Sequence, residues 1–262
     1  MNRITKYLKV NPHRKLLIPF FTAGFPSLNQ FLDLISTAVD CGADFIEIGI
    51  PFSDPLADGP EIQYSSYVAL QKGINLKKIL SAVAAFRRKS NVPIILMGYY
   101  NPILTYDERR FMADAKKSGV DGLIVPDLSI DEAIGYRKNA VQNGLSTIFL
   151  VSPTSLAQRV KRIEKFSSDF VYAVTVTGVT GAGKIFDRGT DNYLKSLRQT
   201  LKKKFVAGFG VSSADTAQRL AEHCDGIVIG SKLVSLVREN NNRKQAIKAV
   251  GKLLTQIRRG LS

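Results

Sequence analysis

Short runs of branched and aromatic residues alternate along this chain with longer stretches in which apolar residues recur every three to four positions. The runs are LLIPFFT (16–22), DFIEIGI (44–50), PIILMGY (93–99), GLIVPD (122–127), STIFLV (146–151), FVYAVTV (170–176), FVAGFG (205–210) and DGIVIG (225–230). Each reads as a strand buried on both faces. The stretches between them predict helices at about 27–40, 75–90, 107–118, 130–142, 155–165, 190–203, 213–223 and 243–258. In LKKILSAVAAFRRK (76–89), Ile79, Val83 and Phe86 mark one apolar face among basic residues. Ser213 and Asp215, before TAQRLAEHC, and Ser129, before IDEAIGYRK, are expected helix caps.

Eight strand–helix units of roughly 33 residues each match the size of a β-α-β repeat. Eight of them in about 250 residues predict an α/β fold closed as a (β/α)8 TIM barrel. An open doubly wound sheet is the alternative, but its Gly-rich turn is missing, because the first strand ends in TAGFPS. No linker or low-complexity segment divides the chain. Residues 1–262 are therefore expected to form a single barrel domain, with a short N-terminal helix at about 2–8 and a short extra helix after Gly230.

The barrel frame gives the stretch IEIGIPFSDPLADGPEIQ (46–63) its meaning. Side chains alternate along a strand. Ile46, Ile48 and Ile50 suit packing against outer helices, which leaves Glu47 facing the lumen with Gly49 clearing space above it. A lone carboxylate in an apolar strand costs several kcal/mol unless it is paired or protonated. Apart from Lys15 at the edge of the first, the predicted strands carry no Lys or Arg to pair with it. Asp58 follows on the loop leaving the C-terminal end of the strand, where barrel active sites form. A buried salt bridge is the structural alternative; the sequence favours a functional acid.

Composition narrows the class. The 262 residues are 45% hydrophobic, but no apolar run approaches the ~20 residues of a membrane span. The basic N-terminus lacks a signal-like apolar core, so a soluble protein inside a cell or organelle is expected. Cys41 and Cys224 are far apart and read as reduced thiols. Lys plus Arg is 37 against 22 Asp plus Glu, a net charge of +15. The basic residues are scattered over predicted helices without interleaved aromatics, so a solvated surface is favoured over a nucleic-acid interface.

The remaining chemistry is that of carboxylates. His13 and His223 fall at the end opposite the predicted mouth, which argues against a His-based nucleophile or a His-ligated metal. No strand end carries a lysine placed for an imine. No acids are spaced like a magnesium or zinc site. Tyr99, Tyr100 and Tyr172 lie near strand ends, as helpers of acid–base chemistry or as plain core and rim residues. The glycines ending strands seven and eight, GFG (208–210) and GS (230–231), sit where barrels commonly bind a phosphate. GVTGAGK (178–184) matches a nucleotide-loop pattern but is followed by Ile185 instead of Ser or Thr, and reads as a Gly-rich lid.

IEIGIPFSDPLADGPEIQ, with MGYYNPIL (97–104), VDGLIVPDL (120–128), TGVTGA (177–182), GFGVSS (208–213) and DGIVIGSKLV (225–234), resembles the tryptophan synthase alpha subunit family in motif order from about residue 16 to 258. The resemblance implies cleavage of indole-3-glycerol phosphate to indole and glyceraldehyde 3-phosphate, without metal or cofactor in this subunit. By the same resemblance Glu47 is the acid–base residue, and Asp58 accepts the indole N–H. Phe20, Tyr99, Tyr172 and Phe209 line the indole pocket, and Thr180 bonds Asp58 when the lid closes. Gly181, Gly210, Gly230 and Ser231 hold the phosphate. Pro51 and Asp54 meet a beta subunit that carries pyridoxal phosphate, in an α2β2 heterotetramer. Asp107 stands where the family commonly has glycine. A stand-alone lyase releasing free indole is the alternative; an indoleglycerol-phosphate synthase would need a lumen lysine. Neither nucleic acid nor membrane is an expected partner. The expected compartment is the cytoplasm, or the plastid stroma for an organelle-encoded chain.

Overall fold

The structure, a computed structural model, describes residues 1–175, 188–208, 210–240 and 242–261. Its strand segments are β1 (Leu16–Thr22), β2 (Ile46–Gly49), β3 (Ile94–Met97), β4 (Gly122–Ile124), β5 (Ser146–Ile148), β6 (Leu150–Val151), β7 (Phe170–Val174), β8 (Lys204–Gly208) and β9 (Gly226–Ile229). All pair in parallel, in the order β5-β4-β3-β2-β1-β9-β8-β7-β6. The two ends of that sheet, β5 and β6, are separated in the chain by Phe149 alone. They are halves of one extended run, so the sheet closes on itself with eight staves. Ser168 N–H donates to Thr147 O at 2.8 Å and Tyr172 N–H to Phe149 O at 3.1 Å, which carries the closure through the run.

The helices are α1 (Arg3–Val10), α2 (Leu28–Asp40), α3 (Pro60–Gln71), α4 (Leu76–Arg87), α5 (Tyr100–Tyr106), α6 (Glu108–Ser118), α7 (Ile134–Gln142), α8 (Ala157–Phe166), α9 (Arg188–Thr200), α10 (Ala214–Ala221), α11 (Ser231–Glu239) and α12 (Arg243–Gly260). The expected N-terminal helix is α1, capped by Asn2, and the expected extra helix after Gly230 is α11. Ser213 caps α10 by accepting the Thr216 N–H. Ser129 does not cap α7: it closes a turn with Glu132 and Ala133, and the helix begins at Ile134. None of the described helices is long and apolar enough to cross a membrane.

The hydrophobic pattern does not announce α3 and α5. In α3, Ser65 and Ser66 are buried, with Ser65 Oγ 2.6 Å from Thr22 Oγ1 at the end of β1, while Tyr64 and Tyr67 face outward. Small hydroxyls inside and aromatics outside reverse the usual stripe. Pro60, which reads as a loop breaker, occupies the first turn, where its missing N–H has no consequence. Asp107, between α5 and α6, has φ 76°, the only positive φ of a non-glycine residue among those described. That is the backbone region glycine enters freely; here the Asp107 side chain caps α6 by accepting the Arg110 N–H at 3.0 Å.

At the N-terminal end of the barrel a carboxylate precedes every second stave. Asp44 N–H donates to Leu17 O, and Leu17 N–H donates back to Asp44 Oδ2 at 2.7 Å. Asp121 and Ile94 exchange the same pair, the return bond being 3.0 Å, as do Asp225 and Phe205 at 2.9 Å. Before β7 the acceptor of the neighbouring N–H is Ser168 Oγ, and Asp169 takes Ser146 Oγ and Thr5 Oγ1. Arg14 and Arg258 neutralise Asp44, and Arg3 and Arg87 neutralise Asp121. These buried charges are thus paired and hydrogen-bonded, as stability requires. His13 and His223 lie just before β1 and β9, at this same end.

Candidate active site

Glu47 is in the middle of β2, paired in register with Phe20 of β1 and Ile95 of β3. It is 1% exposed, its Oε1 has no hydrogen-bond partner, and no ion pair reaches it among the described residues. Burial raises its pKa from 4.5 to about 8. Tyr172, on β7 across the barrel, is buried and its hydroxyl pKa is pushed up by burial and then by the charge of Glu47. β2 and β7 are not neighbours in the sheet, and alternation along β2 turns Glu47 to the side opposite Ile46 and Ile48. Ile46, Ile48 and Ile50, which alternation puts on the opposite side from Glu47, are buried. Lys204, which opens β8, sends its ammonium to Pro12 O at the N-terminal end, away from Glu47.

Glycines shape the wall around Glu47. A Cβ on Gly49 would lie 2.4 Å from Phe20 Cζ, and one on Gly208 2.1 Å from the Tyr172 hydroxyl. A Cβ on Gly230 would come within 3.1 Å of the Phe20 ring. Both rings therefore occupy space that only glycine leaves open.

Asp58 is half-buried on the loop between β2 and α3. Burial raises its pKa from 3.8 to about 6, while a hydrogen bond from Tyr99 pulls the other way. The Tyr99 hydroxyl also accepts the Ala57 N–H at 2.9 Å, and the Tyr99 ring packs against Phe52 with centroids 5.1 Å apart. Tyr99 thus braces the loop that carries Asp58. Pro51 is buried at the root of this loop, and Asp54 is exposed at its tip beside Leu56, which is 89% exposed.

After β9, two staves from β2, Gly230 caps α11 through its carbonyl, which accepts Leu233 N–H at 2.8 Å and Val234 N–H at 3.1 Å. No side chain caps this helix start, where Ser231 is the first residue. Amides at an uncapped N-terminus suit an anion. Gly210, after β8, is exposed with φ 81°. The sheet order β3-β2-β1-β9-β8-β7 places Tyr99, Glu47, Phe20, Gly230, Gly210 and Tyr172 on successive staves or the loops leaving them. Thr180, Gly181 and Phe209 lie outside the described residues, as does the whole GVTGAGK loop. Sequence reading missed Asp127, whose carboxylate holds the Tyr100 N–H; the signal was there in VPD (125–127), another strand end closing on an acid. Among the described residues no group of three or more His, Cys, Asp or Glu side chains could hold a metal ion.

The fold and site define a (β/α)8 barrel with a buried carboxyl on β2, a second acid on the loop that follows it and a helix start after β9 that no side chain caps. A family model, the tryptophan synthase alpha chain, matches residues 8–260, and the chain belongs to that family. The tryptophan synthase alpha chain of Thermoanaerobacter sp. (strain X514) is 39% identical over 260 residues, covering 98% of this chain and 99% of that relative. That of Geobacter sulfurreducens is 45% identical over 223 residues, 85% of this chain and 84% of the relative. The crystal structure of the alpha chain from Legionella pneumophila superposes with TM-score 0.90 at 34% identity, covering 100% of this chain and 97% of that one. A chain of the tryptophan synthase α2β2 complex from Pyrococcus furiosus superposes with TM-score 0.86 at 39% identity, covering 94% of this chain and 98% of that one.

Proposed function

We propose that this chain is the alpha subunit of tryptophan synthase. It splits indole-3-glycerol phosphate into indole and glyceraldehyde 3-phosphate, with no metal or cofactor of its own. The observation that carries the reading is the Glu47 carboxyl: buried in the lumen, lacking a partner on Oε1, and holding its proton up to about pH 8. Such a group can act first as acid and then as base.

In the reaction, protonated Glu47 delivers its proton to C3 of the indole ring, leaving a positive charge shared with the ring nitrogen. Asp58, anionic above about pH 6, accepts the indole N–H and stabilises that charge. The Glu47 carboxylate then takes the proton of the glycerol hydroxyl next to the scissile bond. The oxygen electrons form the aldehyde, the carbon–carbon bond breaks, and its electron pair returns to the ring as neutral indole. Phe20, Tyr99 and Tyr172 wall the ring, and Gly210, Gly230 and Ser231 offer backbone amides to the phosphate. Thr180, Gly181 and Phe209 join the site on family resemblance alone. Pro51 and Asp54 sit on the loop that would meet a beta subunit, to which an α2β2 assembly would pass the indole; pyridoxal phosphate belongs to that partner.

Glu47→Gln and Asp58→Asn test this through indole release from indole-3-glycerol phosphate. Loss of roughly 10²-fold or more in each folded variant is expected. Near-wild-type turnover in either would sink the assignment. Repeating the assay with a beta subunit added distinguishes a partner-activated subunit, which speeds up, from a stand-alone lyase, which does not.

A further inference from the structure

Asp127 stands three residues beyond β4, exposed at the barrel mouth, with both carboxylate oxygens on one donor, the Tyr100 N–H, at 3.0 and 3.1 Å. Tyr100 opens α5, whose cap residue is Tyr99. That helix has no side-chain cap of its own and no acid in its first turn. The Asp127 carboxylate supplies both from the next stave: an acceptor for an unpaired N–H and a negative charge at the positive end of the helix.

The opposite side of the same turn leads to the candidate site. The Tyr99 hydroxyl takes the Ala57 N–H at 2.9 Å and hydrogen-bonds Asp58. The backbone beneath is tightly held. Ile50 N–H donates to Met97 O at 2.7 Å, Gly98 N–H donates to Ile124 O at 3.1 Å, and a Cβ on Gly98 would lie 2.7 Å from Ile50 Cβ. Residues 97–100 thus form a short bridge between the β2 loop and the β4 loop, with Asp127 the polar anchor at one end and Asp58 the group presented at the other.

We propose that Asp127 is a positioning residue: by holding the Tyr100 N–H it sets Tyr99, and through the Tyr99 hydroxyl it sets the loop that presents Asp58 to the substrate. The inference rests on the lyase reading and adds a residue to it. A single exposed cap is a small part of the stability of a chain this size, whereas displacing a reacting group by about 1 Å can cost on the order of 10² in rate. The effect of losing Asp127 therefore belongs in catalysis and in the titration of Asp58, which the Tyr99 bond lowers.

The test uses the full chain with Asp127→Ala, Asp127→Asn, Tyr99→Phe and the Asp127→Ala/Tyr99→Phe double variant. Indole release is measured against pH, and the Asp58 carboxyl is titrated by carbon NMR in the free protein. Asp127→Ala is expected to lower kcat about tenfold or more with little change in melting temperature, and to move the Asp58 titration upward. Asp127→Asn keeps an acceptor and should recover most of both. The double variant should be no slower than Tyr99→Phe. Wild-type kcat and an unmoved Asp58 titration in Asp127→Ala, or losses that multiply in the double variant, would overturn the proposal. A wild-type chain that releases no indole would overturn the lyase reading instead, leaving the titration to decide this one.

Discussion

The ring of Phe20 lies where a side chain on Gly49 would have to be: a Cβ there would sit 2.4 Å from Phe20 Cζ. Phe20 pairs in register with Glu47, and Gly49 stands two residues beyond Glu47 toward the mouth of the barrel. Gly49→Ala must therefore push the ring into the space above Glu47. Overpacking of this kind costs about 1–3 kcal/mol of stability. We expect it also to raise KM for indole-3-glycerol phosphate more than it lowers kcat, because in the proposed site Phe20 walls the indole ring. Steady-state kinetics alongside thermal melts check both.

Glu47 should weaken the fold as pH rises. Between pH 4.5 and about 8 the folded chain keeps a proton on Glu47 that the unfolded chain has released. The folded state binds more protons, so this contribution to stability is fully present below about 4.5 and lost as pH rises through about 8, at about 1.4 kcal/mol per unit. Glu47→Gln, with a neutral amide at every pH, should melt like wild type near pH 5 and higher than wild type near pH 8.5. An inactive variant that is also the more stable one would mark Glu47 as a functional acid kept at a cost to the fold.

The same two acids set a window for catalysis. In the proposed mechanism Asp58 acts ionised, so kcat/KM should fall below about pH 6; Glu47 acts protonated, so it should fall again above about pH 8. The profile is bell-shaped, with free-enzyme limbs near those values. A flat profile across pH 5–9 would contradict the assignment of acid and base.

Asp121 offers a control at the other end of the barrel. Its carboxylate is wholly buried and holds Arg3, Arg87 and the Ile94 N–H. Asp121→Ala leaves Arg87, whose side chain is 11% exposed, without that partner, and should cost roughly 3–5 kcal/mol. Indole release by the fraction still folded at low temperature should stay within about twofold of wild type, since distant sites act independently. Urea melts and activity per folded molecule separate the two effects.

Much of this was legible in local pattern. The strands lie where branched residues cluster, and Glu47 faces inward because alternation along β2 leaves it no other side. The misses have physical causes. α3 hides because buried serines meet Thr22 while its tyrosines face out, and α7 starts late because Ser129 closes a turn. The role of Tyr99 as a brace for Asp58, and of Asp127 as an anchor for Tyr100, could not be read from spacing, since the bonds join residues 42 and 27 positions apart.

By itself, then, the order of residues determined the alternation of strand and helix, the number of staves, and the placing of one acid inside and one at the rim. Periodicity is a property of neighbours in the chain, and neighbours suffice for it. The tertiary structure decided how residues 146–151 close the ring, which glycines give way to Phe20 and Tyr172, and which loops reach one another across the mouth. Those depend on the register between staves, and register is set by the packing of the whole barrel rather than by any one segment.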